Sequence, residues 1–457
     1  MRTKRISNSP IVTLIAAYLG LFVGLIDANA VNLALPTIHT DLGGGISGAQ
    51  WTIDVYNVAF AAVLLTAGSF GDRFGRRILL RTGLTTFLTA SVVCAVAPSL
   101  AWLLAARAIG GIGAGLMLPQ GLAIAAHAFP GGAERARATA AWAMAAASSA
   151  ALGPVLGGVL TDTFGWRWIF WLNVPVGLLA LWMSHRLTES RDPGAGEIDL
   201  TGQMFAILSL GALTLVLVEG RAMPPAWTAA LAVATVVAVG LFVWSQNLAT
   251  SPMLPLGLLR NRTLIAALTA TFAMTFGTYG MLMVNSFAFQ QQRGESALAT
   301  AAAFMPMPVT YLALIPFVNL VAKRTGPRLP MLIGLSLMAA GLLVYAAAGP
   351  LANAWILEVG FVLTGAGLAL NTGPAVGLAM STMPLARAGL ASGVVNLARL
   401  VGITVGVAVL GTTMALAGVR AALVEGGVIE LFATVVVVRW VAGTRTPRSE
   451  REEVCHA

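Results

Sequence analysis

Apolar runs of about twenty residues recur from one end of this chain to the other, and that repetition limits what it can become. A helix needs about that many residues to cross a bilayer core of about 30 Å. Of the 457 residues, 58% are hydrophobic and 10% are charged, against roughly 25% charged in soluble domains. In water such a chain could not bury its apolar surface; in lipid it need not. The expected class is an all-α membrane protein. Fourteen candidate spans are centred near residues 22, 60, 88, 115, 149, 176, 209, 235, 276, 310, 338, 367, 402 and 433. The last, Val428 to Ala442, is short and contains Glu430 and Arg439, so thirteen spans with a tail lying on the membrane stays open.

The net charge of +9 is not gathered into a nucleic-acid-binding face. With the N-terminus inside, 21 of the 27 Lys+Arg fall on the cytoplasmic side. They include Arg2, Lys4, Arg5, Arg73, Arg76, Arg77, Arg81, Arg135, Arg137, Lys323, Arg324, Arg328, Arg387, Arg445, Arg448 and Arg451. Only Arg167, Arg221, Arg293 and Arg420 fall outside, and Arg107 and Arg399 lie within spans. This asymmetry sets topology and puts both termini in the cytoplasm. Cys94 and Cys455 offer no disulfide framework, and the four histidines form no metal-ligand cluster. With no nucleophile–base pair either, neither an enzyme nor a cofactor is expected.

The longest polar connection, Glu189 to Asp199, contains Pro193 and Gly194 and follows the sixth span. It divides the chain into residues 1–188, a linker of two extra spans at 189–262, and residues 263–457. An internal repeat supports two related bundles. Gly68-Ser-Phe-Gly-Asp72-Arg73-Phe-Gly75-Arg76-Arg77 is followed 251 residues later by Arg324, Gly326 and Arg328, aligned with Arg73, Gly75 and Arg77. The first copy matches the G-x-x-x-D-R-x-G-R-R signature of the major facilitator superfamily. Gly68 and Gly75 allow a tight turn, Asp72 can cap a helix or pair with a base, and the arginines hold the loop in the cytoplasm. The resemblance implies a conformational latch here.

Arg107 lies deep in the fourth apolar run and shares a helix face with Gly111, Ala114 and Leu118. On insertion scales an arginine so placed costs about 2.5–3.5 kcal/mol, so it should face the bundle interior and a partner. The segment resembles the superfamily's R-x-x-x-G motif, linked to proton coupling. Span 5 contains Gly153-Pro154-Val-Leu-Gly157-Gly158, with small-residue stripes Ala146, Ala150, Pro154, Gly158 and Ser149, Gly153, Gly157. Such stripes permit close packing in lipid; the spelling also resembles the antiporter motif, which seals the bundle against leak. Trp166-Arg-Trp-x-Phe170-x-x-Asn173-x-Pro175-x-Gly177 and Asn396-x-x-Arg399-x-x-Gly402 resemble the fourteen-span drug:proton antiporter family.

Asp27, in Ile26-Asp27-Ala-Asn29-Ala-Val-Asn32-Leu-Ala-Leu-Pro36, fits that family's first-span pattern, with Asn29 in place of the usual Thr. Arg2, Lys4, Arg5 and the Ala28-Asn29-Ala30 triplet could instead mark a signal peptide. That reading fails because removing the first span would break the charge-based topology. Gly20, Gly24, Asp27 and Val31 share a face, so Asp27 should face other helices and exchange a proton in a hydrated cavity. Asp54 is either an external proton port or a solvated helix start, and Glu358 either snorkels or joins the coupling. Glu219 is expected to face a loop. Asn29, Asn32, Tyr56, Asn57, Gln120, Phe276, Tyr279, Asn285, Phe289, Gln290, Asn371 and Arg399 are candidate cavity residues; packing could also account for them.

The resemblance implies a major facilitator fold of two six-helix bundles plus two extra spans. It further implies proton-driven export of lipophilic, often cationic compounds across the cytoplasmic membrane by a functional monomer. A proton-coupled importer or exporter of one metabolite would share the fold.

Overall fold

A computed structural model describes residues 10–128, 145, 148–149, 152–191, 199–250, 252–349, 353–383 and 388–441. Arg2, Lys4, Arg5, Arg135, Arg137, Arg387, Arg445, Arg448, Arg451, the Pro193-Gly194 pair, Ala146 and Ala150 lie outside the described residues. Within them all regular structure is helical, an arrangement that lets the backbone satisfy its own N–H and C=O groups where lipid supplies no water. In order the helices are α1 (Pro10–Leu42), α2 (Gly45–Phe74), α3 (Arg76–Ala95), α4 (Leu100–Ala128), α5 (Leu152–Phe164), α6 (Arg167–Ser184) and α7 (Leu200–Glu219). There follow α8 (Pro225–Leu248), α9 (Arg262–Phe287, extended by a π-helical turn Ala288–Gln292), α10 (Ala297–Phe304), α11 (Pro306–Thr325), α12 (Arg328–Ala348), α13 (Ala354–Ser381) and α14 (Ala388–Trp440).

Ten helices are long and apolar enough to cross a bilayer, or up to twelve if each of two bent pairs is one span. The difference from the fourteen read in the sequence has physical sources. The span centred near 149 lies largely outside the described residues. Two of the runs read in the sequence fall in α14, whose 53 residues are interrupted only at Gly418. Unbroken, that helix would run about 80 Å, more than twice the bilayer core. Gly418 takes φ 84°, ψ 173°, a backbone region open to glycine and costly for other residues.

Helices α1, α2, α3, α4 and α6 pack on one another, as do α9, α11, α12, α13 and α14. The two groups meet along α2–α14 and α1–α9. The most apolar stretch of α1 is 78% buried and that of α8 only 6%, so α1 is central and α8 lies at the lipid-facing edge. There Trp227, Val236, Val237 and Trp244 stay exposed. α8 packs on α7, and α7 packs on α2 and α14. Glu219 corrects a sequence expectation: it ends α7 and accepts from Trp51 Nε1 (2.8 Å) and from Ser47, fastening the hairpin to the start of α2.

The repeat recurs in three dimensions. Gly75 (φ 114°) separates α2 from α3, and Gly326 (φ 74°) separates α11 from α12. Arg77 Nη2 donates to the His185 carbonyl just after α6 (2.8 Å), and Arg328 Nη2 donates to the Val438 carbonyl near the end of α14 (2.7 Å). Each repeat arginine thus ties its turn to the last helix of its own group. These turns define a basic end; the opposite end is called distal here. Across the groups Gln50 Nε2 donates to the carbonyls of Val407 (3.2 Å) and Ala408 (2.7 Å), and Gln290 Nε2 to that of Leu33 (2.9 Å). Asp162 accepts from the backbone N–H groups of Ala297 (3.1 Å) and Leu298 (2.8 Å). A carboxylate at the start of α10 complements the helix dipole as well as its free donors. All of these contacts lie toward the distal end.

Candidate functional site

Asp27 and Arg107 form an ion pair in the interior of the first helix group, with their side chains 2% and 4% exposed. A charge so enclosed persists only with partners, and both residues have several. Asp27 also accepts from Asn173 Nδ2 (2.8 Å), which reaches Ser91 Oγ (2.9 Å), and Ser91 donates to the Phe170 carbonyl (2.9 Å). Arg107 Nε donates to the Thr52 carbonyl (3.1 Å), and its guanidinium carbon sits 4.3 Å from the centre of the Tyr56 ring. Five helices, α1, α2, α3, α4 and α6, therefore converge on one carboxylate. Beside it lies a void of about 10 Å³, at the lower limit for one water molecule. The sequence paired Asp27 with a hydrated cavity; the structure instead encloses it in a nearly dry bundle.

Asn29, two residues on, points the other way. Its Nδ2 donates to the Leu25 carbonyl (2.7 Å) and its Oδ1 accepts from Tyr279 of α9 (3.4 Å). The chemistry of α1 is thus split by face: Asp27 into the bundle, Asn29 toward the second group. Beside Asn29, α5 presents its glycines. A methyl group on Gly153 would come within 2.5 Å of Asn29 Cβ, one on Gly157 within 2.6 Å of the Ala30 carbonyl oxygen, and one on Gly158 within 2.7 Å of Ala301 Cβ. Pro154 is buried between them. This stretch fills the seam between α1 and α10 with no side-chain volume to spare.

At the basic end, Asp72 accepts from Arg76 Nε (3.0 Å) and Nη2 (2.8 Å) across the Gly75 turn. It does not cap α3. That cap is Glu189, whose carboxylate accepts from the N–H groups of Arg77 (3.0 Å) and Ile78 (3.3 Å), while Arg76 N donates to the Ser190 carbonyl (3.1 Å). Gly75 is needed here because a methyl group on it would come within 2.6 Å of Glu189. Gly68 has open space around it and Arg73 is exposed. The turn is therefore clasped to the segment leaving α6. Replacing Glu189 with Ala should cost about 0.5–1 kcal/mol at so exposed a cap. It should also speed amide exchange at Arg77 and Ile78; unchanged exchange there would refute the assignment.

The other sequence candidates scatter. Asp54 is fully buried on α2 with neither oxygen partnered, and Glu358 is partly exposed on α13. Gln120 is enclosed and donates to the Ala67 carbonyl (2.6 Å), Asn32 to Ala28 (3.0 Å), and Asn371 to Ala270 (3.4 Å). Asn57, Asn285, Phe276 and Phe289 are buried. Arg399 and Tyr279 stay partly exposed. Sequence reasoning missed Asn173 as the second ligand of Asp27, although it stands in the quoted motif. It also missed Ser91, Asp162 and Glu189, ordinary-looking residues whose partners are distant in sequence. Glu430, noted only for shortening a span, is fully buried with neither oxygen partnered, facing Gly277 of α9.

Comparison with known proteins agrees with this architecture. The family profile described as Major Facilitator Superfamily matches residues 17–407 and again 308–454. The chain is 35% identical over 418 residues to the multidrug resistance protein Stp of Mycobacterium tuberculosis, covering 90% of this chain and 76% of that protein. It is 32% identical to the tetracenomycin C resistance and export protein of Streptomyces glaucescens, with 89% and 76% covered. It is 30% identical to the methylenomycin A resistance protein of Streptomyces coelicolor, with 88% and 85% covered. Among solved structures, the POT family transporter PepTSo superposes with a TM-score of 0.72 over 95% of this chain and 98% of that one, at 14% identity, which speaks to fold alone. With the helix groups, the repeated turn and the profile in agreement, this chain belongs to the major facilitator superfamily and is a multi-pass membrane transporter related to drug and antibiotic efflux proteins.

Proposed function

We propose that the chain exports lipophilic small molecules across the cytoplasmic membrane as a monomer, in exchange for protons, by way of fourteen helical passages. The break at Gly418 and the 120° bend between α5 and α6 support that count, because each turns the chain back after about one bilayer length. The basic end faces the cytoplasm. With hydrogen bonds joining the groups at the distal end, this is a state closed to the outside.

The observation that carries the proton coupling is Asp27 held by Arg107 and Asn173 inside the first bundle. Protonation of Asp27 would remove one charge of a dry pair and leave Arg107 unpaired, a change large enough to repack five helices. Asp54 and Glu358 stand nearer the outside and are candidates for passing the proton inward. One proton at ~100 mV and ~0.5 pH unit sustains a gradient on the order of a hundredfold for a neutral compound. Everted membrane vesicles loaded with a pH-sensitive dye test the reading. Adding an exported compound should discharge an imposed acid-inside gradient in proportion to its uptake. Uptake without proton movement would sink the coupling, and accumulation only in right-side-out vesicles would reverse the direction.

A further inference from the structure

Arg399 lies eleven residues into α14, and it is the second arginine that the sequence sets within a span. Among the described residues it belongs to none of the ion pairs, and its enclosed Nε has no hydrogen-bond partner. A guanidinium at this depth is costly unless something meets it.

Its surroundings hold it rigidly. One turn further on, Gly402 and Gly406 press α14 against α9, where a methyl group would come within 2.5 Å of the Phe272 carbonyl oxygen and 2.4 Å of the Phe276 carbonyl oxygen. Thr275 Oγ1 donates to the Arg399 carbonyl (3.0 Å). Tyr279 stands one turn beyond Thr275 on α9, and its hydroxyl donates to Asn29 of α1 (3.4 Å). One arginine, one phenol and an amide, drawn from both helix groups, thus lie together at mid-depth where the groups meet.

The carboxylates of the spans are elsewhere. Asp27 faces into the first bundle, bound by Arg107 and Asn173. Glu430 packs at Gly277, on α9 but about 200° around the helix from Tyr279. Asp54 is buried in the outer half of α2, and Glu358 lies in the first turns of α13. Asp162, near the end of α5, is held at the distal seam by the Ala297 and Leu298 N–H groups, and Glu425 of α14 accepts from Thr413 (2.6 Å). At mid-depth, among the described residues, the place where the two groups meet therefore carries the Arg399 charge and no carboxylate paired with it.

We infer that the transported molecule is a lipophilic organic anion, whose carboxylate, sulfonate or phenolate oxygen is held by Arg399 with Tyr279 and Asn29 beside it. A planar guanidinium suits such an oxyanion group better than a point charge does. A cationic compound would meet like charge at Arg399. The assignment rests on the efflux reading above and sharpens its substrate class. It also makes exchange doubly electrogenic, since proton entry and anion exit move charge in the same direction. Each charge is worth about fiftyfold in gradient per 100 mV. Accumulation of a monoanion should thus change with voltage as the square of that for a neutral compound, and that of a monocation not at all.

Two dyes with a common aryl-amine body give the test: 1-anilinonaphthalene-8-sulfonate and its sulfonate-free counterpart N-phenyl-1-naphthylamine, each bound to the purified full-length chain in phosphatidylcholine nanodiscs. Arg399→Gln should weaken the sulfonate about ten- to hundredfold and leave the neutral dye within about twofold, which also reports a folded site. Arg399→Lys, which keeps the charge but not the planar fork, should weaken the sulfonate less than Arg399→Gln does. Equal losses for both dyes, or none, would overturn the inference. So would a loss of sulfonate binding on replacing phosphatidylcholine with phosphatidylglycerol that exceeds the loss Arg399→Gln shows for the same replacement, which would assign Arg399 to a lipid phosphate. The assay needs no proton gradient. Arg399-dependent binding without pH-driven efflux would therefore remove the antiport reading and leave the anion site standing.

Discussion

Replacing Asp27 with Asn is expected to stop pH-driven efflux while the protein still inserts and folds. The amide keeps the shape of the carboxyl and one acceptor oxygen, so Arg107 retains a hydrogen bond together with the Thr52 carbonyl and the Tyr56 ring. What is lost is the proton. Replacing Arg107 with Ala is the more damaging change for folding, because it strands a carboxylate in a bundle with a void of only about 10 Å³ beside it. Breaking a buried pair from one side costs about 3–5 kcal/mol, enough to lower the yield of folded protein severely. The double variant Asp27→Asn with Arg107→Gln removes both charges and should recover most of that stability without recovering transport. Thermal unfolding of the solubilised chains and dye-loaded vesicles separate the two effects. If Asp27→Asn keeps full pH-driven efflux, Asp27 is a structural ion-pair partner and the proton travels elsewhere.

The sequence was legible where lipid dictates the pattern. Twenty-residue apolar runs, basic turns and the 251-residue repeat are one-dimensional consequences of a bilayer, and the Gly75 and Gly326 turns repeat that equivalence in their backbone geometry. The Asp27–Arg107 pair was within reach because an isolated charge in an apolar run must find an opposite one. Its surroundings were not. Helical periodicity located the face of Asp27 on α1 but could not say whether that face looked into the bundle or into the space between the bundles. Only the packing of α3, α4 and α6 decides this. Gln120 and Asn371 look like cavity residues because they are polar in an apolar span; they are spent on backbone carbonyls of neighbouring helices. Glu189 was invisible because its partners, the N–H groups that open α3, carry no side-chain signature. Ten to twelve candidate spans emerge rather than fourteen, because the stretch near residue 149 lies largely outside the described residues and α14 runs through Gly418 as one helix with no polar loop to mark a turn.

The seam between α5 and α10 should be the most sensitive point in the alternation between open states, and Gly158→Leu should jam it open. Two of the three atoms a side chain there would strike, the Ala297 carbonyl oxygen at 2.9 Å and Leu298 Cα at 3.0 Å, are backbone. They cannot rotate out of the way, so the helices must separate. Separation also pulls Asp162, one turn further along α5, from the N–H groups of Ala297 and Leu298 that it caps. Overpacking of this kind costs about 1–3 kcal/mol, and the whole penalty falls on the distally closed state, since the contact is made across the two groups. The open population should therefore rise roughly five- to hundredfold. Ala301, 1% exposed, reports it: an Ala301→Cys probe should resist a membrane-impermeant maleimide in intact cells and become labelled in the Gly158→Leu background. Gly211→Leu, on α7 with nothing within 4 Å, is the matched control and should leave labelling unchanged. If the Gly158 variant stays protected, the α5–α10 seam tolerates the added volume within its own group, and the antiporter-like glycines then serve packing inside the first bundle rather than closure between the two.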